Sequence, residues 1–196
     1  MFVVLDTETT GLYVYKGHEM ISYAGIKLDN NLKEIDRLHI RIKPKKIEVA
    51  DPTALRINGY NKHYWENAFE PTEASEKIAD FMRDCIPVAH NWDFDRTFIL
   101  SMFRKHAPHC KILRRGIDTV TLASSAFIPY GYKSVSMQQI SDIMGWPKQP
   151  HRALEDTLYC VQLFRLLYPV GIKSAIKVHA VMLRAKMRPY LNPLTQ

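Results

Sequence analysis

This sequence predicts an α/β fold built on a mixed sheet. Three features point there: a continuous apolar run at the N-terminus, two strand-like segments joined by a short polar turn, and a later alternation of helical and strand-like stretches. The run Phe2 to Leu5 has no polar interruption, as expected of a strand covered on both faces in the middle of a sheet. "EMISYAGIKL" (19–28) is the next strand, "DNN" the turn, and "RLHIRIKP" (37–44), with its alternating pattern, an edge or half-exposed strand. "DPTALRINGY" (51–60) reads as a short helix stopped by Asn58 and Gly59.

Further along, "PTEASEKIADFMRDC" (71–85) has a first-turn proline, early acids, and Ile78, Phe81 and Met82 at helical spacing. A short strand "IPVA" (86–89) leads into the helix "NWDFDRTFILSMFRKHA" (91–107), where Phe94, Phe98 and Met102 recur every four residues. Another core strand falls near "RGIDTV" (115–120), and helices over "SVSMQQISDIMG" (134–145) and "ALEDTLYCVQLFRLLY" (153–168) complete the pattern. One domain over residues 1–169 is expected, followed by a basic, helical extension over 170–196 centred on "KSAIKVHAVMLRAKM" and ended by Pro189 and Pro193.

At 196 residues the chain suits one domain with a full core. Its hydrophobic fraction of 46% and charged fraction of 24% exclude disorder as the default. A net charge of +7 fits a polyanionic partner and equally a plain basic, soluble surface. That excess is concentrated late, because no acid follows Asp156 while six basic residues do, from Arg165 to Arg188. Three separated cysteines without a C-x-x-C pair indicate neither a disulfide framework nor a zinc site. With no signal-peptide core and no membrane-length apolar run, a cytoplasmic protein without membrane contact is expected.

Chemistry concentrates in three places. Residues i and i+2 of a strand point to the same side, so Asp6 and Glu8 in "MFVVLDTETTGL" present two oxygen ligands together where a central strand runs out. A solvated strand end is the plainer meaning of the same pair. In "HNWDFD" (90–95), Asp93 and Asp95 lie about 200° apart around a helix and cannot serve one site. Asp95, beside Phe94 and about one turn from Asn91, is the choice for the site; Asp93 suits a first-turn acid, and His90 a hydrogen-bonded structural role. In "HRALED" (151–156), His151 and Asp156 would be about 140° apart in one helix, so a shared site requires His151 to precede it, as Pro150 allows. Otherwise they are a helix-start imidazole and an exposed acid.

Asp6 with Glu8, Asp95 in H-N-x-x-F-D, and His151 with Asp156 in H-x-A-x-x-D form one ordered set that resembles the DEDDh family of 3′–5′ exonucleases. That family contains the proofreading exonucleases of replicative polymerases and ribonuclease T. The resemblance spans roughly residues 1–168, and "DTETTGL", "IDTVTLA" and "HRALEDTLYCVQLF" add to it. It departs at "MISYAG", where Ser22 and Tyr23 occupy a region that often holds a glutamate in the family. The resemblance implies a ribonuclease H-like mixed five-stranded sheet flanked by helices. It also implies 3′–5′ hydrolysis of single-stranded or frayed ends to nucleoside 5′-monophosphates, with DNA favoured over RNA, and a polymerase or other replication partner. An RNA-trimming exonuclease and a non-catalytic nucleic-acid-binding module are the competing readings.

Four clustered carboxylates repel one another and call for cations, and all-oxygen ligands select Mg²⁺ or Mn²⁺. Two ions roughly 4 Å apart would clamp an in-line phosphoryl transfer. By resemblance Asp6, Glu8, Asp95 and Asp156 are the metal ligands, and His151 takes the proton of the attacking water. The loop with Thr9, Thr10 and Leu12 would meet the terminal nucleotide, with Leu12 either an apolar contact or plain core, and Asn91 is added to the substrate side.

Overall fold

The structure is a computed structural model and describes residues 1–147 and 151–191, with side chains as far as residue 185. Five strands, β1 (Phe2–Thr9), β2 (Met20–Leu28), β3 (Glu34–Arg41), β4 (Ile86–Ala89) and β5 (Ile117–Asp118), form one sheet in the order β3-β2-β1-β4-β5. The first three pair antiparallel, whereas β1–β4 and β4–β5 are parallel, so the sheet is mixed and β1 lies at its centre.

Besides one-turn 3-10 segments, seven α-helices are described: α1 (Pro52–Ile57), α2 (Pro71–Phe81), α3 (Trp92–His106), α4 (Thr119–Phe127), α5 (Met137–Met144), α6 (Ala153–Leu167) and α7 (Ile172–Leu191). Alternation along β1 explains why helices cover both faces. Phe2 and Val4 join Ile26, Leu28 and Val88 in a core completed by α4, α5, α6 and α7, while Val3 and Leu5 face α2 and α3 through Ile78, Phe98 and Ile99. The uninterrupted apolar run is thus a strand with no solvent side. On the first face Phe164 of α6 is fully buried, its ring 5.3 Å from Phe2 and 4.8 Å from Tyr168. Phe164→Ala is expected to cost about 3–5 kcal/mol of unfolding free energy, read from the urea midpoint.

Local chemistry sets the element ends. Asp51 caps α1 by accepting from the Thr53 N–H at 2.7 Å, and Ser136 caps α5 by accepting from the Gln139 N–H at 3.3 Å. Gly145, at φ 68°, closes α5 in the left-handed conformation. The expected strand over 115–120 is only two residues long, because Asp118 accepts the Val120 N–H at 2.8 Å and starts α4 at once. β3 begins at Glu34, three residues before the alternation suggests, and Ile42 continues only as an isolated bridge to Phe69.

The basic extension is helical, and Ser174, Val178 and Met182 bury one side of it, the last two in the α4–α5–α6 core. It runs through Pro189 to Leu191 rather than stopping there; proline removes one backbone donor and can bend a helix without ending it. Pro150 and Pro193 lie outside the described residues. Among the described residues no single helix is long and apolar enough to cross a membrane.

Candidate active site

Asp6 and Glu8 emerge on the α6 side of β1, continuing the Phe2–Val4 row beyond the apolar core. Asp6 and Glu8 pair in register with Ala24 and Ser22 of β2, and the register shifts only between Glu8 and Thr9, at the last pair of the ladder. From α6, the buried Asp156 reaches the same place, its Oδ2 accepting the Arg152 N–H at 3.2 Å. Ligand oxygens of Asp6, Glu8 and Asp156 all lie within 4.8 Å of one another. Two residues from a central strand and one from the first turn of a helix packed on it therefore meet at a single point.

Asp95 approaches β1 from the other face. Thr7 lies between the two acids of β1 and points the opposite way, and its hydroxyl donates to Asp95 Oδ1 at 2.8 Å. Asp95 is 3% exposed and stands outside the three-carboxylate group, although its charge acts on both Asp6 and Glu8. Asp93 points outward and pairs with Arg96 at 2.8 Å, so the two aspartates of α3 divide as their spacing requires. His90 Nδ1 is 3.0 Å from the Thr119 hydroxyl, a structural contact between β4 and α4.

Burial, followed by the charges of Asp95, Glu8 and Asp156, holds the Asp6 carboxyl well above the ordinary carboxylate range. Glu8 is pushed up to about 8 by burial and then by Asp156 and Asp95, with Arg152 opposing. Asp95 is raised to about 7, again mainly by burial, against the Thr7 hydrogen bond. In the unfolded chain such groups titrate near 4. Between roughly pH 4.5 and 8 the folded cluster therefore holds more protons than the unfolded chain, and stability falls as pH rises. In EDTA the thermal midpoint is expected to drop across that window because of this cluster, and Glu8→Gln should flatten the decline.

The remaining expected residues differ in what they offer. His151 is exposed, at φ 52°, immediately before the Arg152 cap of α6, and it is not part of the three-carboxylate group. Both threonine hydroxyls are used inside the loop: Thr9 donates to the Gly11 carbonyl at 2.8 Å and Thr10 accepts the Glu19 N–H at 2.8 Å. Leu12 is 63% exposed and is not core. Asn91, at φ 81°, is exposed at the start of α3 and donates its backbone N–H to Asp118 Oδ1 at 3.1 Å. Sequence reasoning missed Thr7, Arg152 and Asn58, whose amide donates to the Thr9 carbonyl at 2.7 Å. Thr7 was the most accessible of these, since a residue between two paired acids must face the other side of the strand.

A family model described as Exonuclease, RNase_T, matches residues 3–164. The chain belongs to this exonuclease family. Over 164 residues, 83% of its length, the exonuclease domain is 33% identical to a DNA polymerase III PolC-type protein of Thermotoga maritima, of which it spans 11%. It is 26% identical over 179 residues to a DNA polymerase III subunit epsilon of Rickettsia felis, covering 90% of this chain and 77% of that one. A 3′-5′ exonuclease DinG of Staphylococcus aureus is 30% identical over 171 residues, 85% of this chain and 18% of that one. Among solved structures, E. coli Exonuclease I in complex with a dT13 oligonucleotide superposes with a TM-score of 0.70 at 17% identity, over 86% of this chain and 41% of that one. That likeness bears out the expected ribonuclease H-like mixed sheet.

Proposed function

We propose that this protein is a metal-dependent 3′–5′ exonuclease that shortens single-stranded or frayed DNA 3′ ends to nucleoside 5′-monophosphates. The observation that carries the reading is the convergence of Asp6, Glu8 and Asp156 within 4.8 Å. Carboxylates this close, one buried and two half-buried, oppose one another's ionisation, and a hard divalent cation is the species that relieves them. The all-oxygen donor set thus fits Mg²⁺ or Mn²⁺, with Asp95 completing it from the opposite face of β1. When bound, two such ions would lower the pKa of the attacking water and offset charge on the phosphate oxygens.

The chain's own groups have separable tasks. Asp6, Glu8 and Asp156 would hold the cations, whose positive charge would in turn draw in the scissile phosphate. Thr7 orients Asp95 through its 2.8 Å hydrogen bond. His151 sits on an exposed segment at the start of α6, where an imidazole can approach the water and accept its proton. Leu12 offers an apolar contact to the terminal nucleotide, and the Thr9–Thr10 backbone, held by internal hydrogen bonds, offers fixed polar groups. Asn91 belongs to the substrate side of the α3 start.

DNA is favoured over RNA, and a replicative polymerase is the proposed partner, on the strength of the DNA polymerase III relatives. Cytoplasmic location is part of the same proposal and rests on three unpaired, separated cysteines. Incubation of 5′-labelled DNA and RNA oligonucleotides with Mg²⁺, Mn²⁺ or EDTA tests it. A ladder shortening from the 3′ end of DNA in either metal, and none in EDTA, is the expected result. Shortening of RNA alone would transfer the site to RNA trimming, and binding without shortening would make the domain a non-catalytic module.

A further inference from the structure

Four residues beyond Glu8 the chain makes a loop whose outer surface is unusually aromatic. Leu12 is 63% exposed, Tyr13 43% and Tyr15 81%, and the two tyrosine rings lie 5.4 Å apart at 40° to each other. Single exposed apolar side chains are ordinary on a protein surface. Three within four residues, on the loop that directly follows the strand carrying Asp6 and Glu8, are a patch.

The loop that carries them is fixed from beneath. Thr10 exchanges backbone and hydroxyl bonds with Glu19 at 2.8 Å each, and its carbonyl accepts the Asp51 N–H at 2.8 Å. The Tyr13 N–H donates to Nδ1 of the buried His18 at 3.0 Å. His18 packs so closely that a Cβ on Gly11 would stand 2.3 Å from Nδ1, so only glycine fits there. A one-turn 3-10 helix over Val14–Lys16 ends at Gly17, φ 89°, whose N–H donates to the Val14 carbonyl at 3.0 Å. Ordering these rings on a partner therefore costs little additional loop entropy.

Two lysines flank the rings. Lys16 Nζ lies 4.8 Å above the Tyr13 ring, and Lys46 runs alongside Gly17. Two of the nearby acids are engaged by backbone: Glu19 accepts the N–H groups of Lys45 and Lys46 at 2.7 and 2.8 Å, and Asp51 accepts that of Thr53 at 2.7 Å. Exposed rings with interleaved ammonium groups match unpaired bases joined by phosphates: the rings stack on bases of any sequence, and the cations follow the backbone.

We infer that Tyr13 and Tyr15, with Lys16 and Lys46, form a stacking platform for the unpaired nucleotides that lead to the 3′ end. It rests on the exonuclease reading of the adjacent carboxylates and deepens it, because a base engaged by a ring is not engaged in a duplex. Preference for single strands thus becomes a property of this loop.

Fluorescence anisotropy of labelled oligothymidylate and oligouridylate in EDTA, where no metal supports cleavage, tests the platform. The double substitution Tyr13→Ala/Tyr15→Ala is expected to raise the Kd for single strands about 10-fold or more and to change that for a blunt duplex far less. Tyr13→Phe/Tyr15→Phe keeps both rings and should stay within about twofold of the unaltered protein. Tyr15→Ala alone, at an 81% exposed position, guards against a folding defect and should show part of the loss. Equal affinity in the alanine variants, phenylalanines as poor as alanines, or no single-strand binding by the unaltered protein would each overturn the platform. Shortening of DNA in Mg²⁺ alongside indifference to the two rings defeats the platform alone; ring-dependent binding without any shortening defeats the exonuclease reading alone.

Discussion

Asp6→Asn is expected to lower the rate of 3′-end hydrolysis by roughly 10³-fold or more, since an ion held by a broken ligand set loses several kcal/mol of transition-state stabilisation. Asparagine keeps the shape of the side chain and removes its charge, and this gives the substitution a second consequence of opposite sign. The Asp6 carboxyl is driven up by burial and by Asp95, Glu8 and Asp156, so ionising it in the metal-free fold costs stability. In EDTA at pH 8 the variant should therefore melt above the unaltered protein. Mg²⁺ or Mn²⁺ should raise the midpoint of the unaltered protein and leave that of the variant nearly unchanged. A variant that is both less active and less stable in EDTA would indicate damage to β1 rather than removal of a ligand.

His151→Ala should give the complementary result, a turnover about 10²-fold slower with the metal-induced thermal gain largely kept. The imidazole lies outside the three-carboxylate group and is exposed, so its loss leaves the ligand oxygens in place. Added free imidazole should restore part of the lost rate, because the missing group is a proton acceptor and not a structural prop. Near-normal turnover in the variant would take His151 out of the reaction.

What the sequence allowed to be read follows from which signals are local. Strand periodicity placed Asp6 and Glu8 on one side of β1, and helix periodicity separated Asp95 from Asp93, which indeed pairs with Arg96 at the surface. Neither requires knowledge of a distant residue. The meeting of Asp156 with β1 depends on how α6 packs across the sheet, and it came only from the ordered resemblance. Asp118 was legible as part of a strand but not as a cap, because a carboxylate that ends β5 and starts α4 satisfies both patterns. The aromatic loop is illegible in the sequence for a related reason: tyrosines in a short turn carry no period, and only the fold shows that His18 and Gly11 fix the loop that exposes them. Which side of α7 is buried depends on how it packs on α4, α5 and α6, and that no local signal gives.

The central claim is that β1 and α6 together hold divalent cations. Crystals soaked in Mn²⁺ and measured for anomalous scattering address it without reference to activity. The account predicts a strong peak among the oxygens of Asp6, Glu8 and Asp156. Density for Mn²⁺ only elsewhere, with those three carboxylates left bare at millimolar metal, would contradict it.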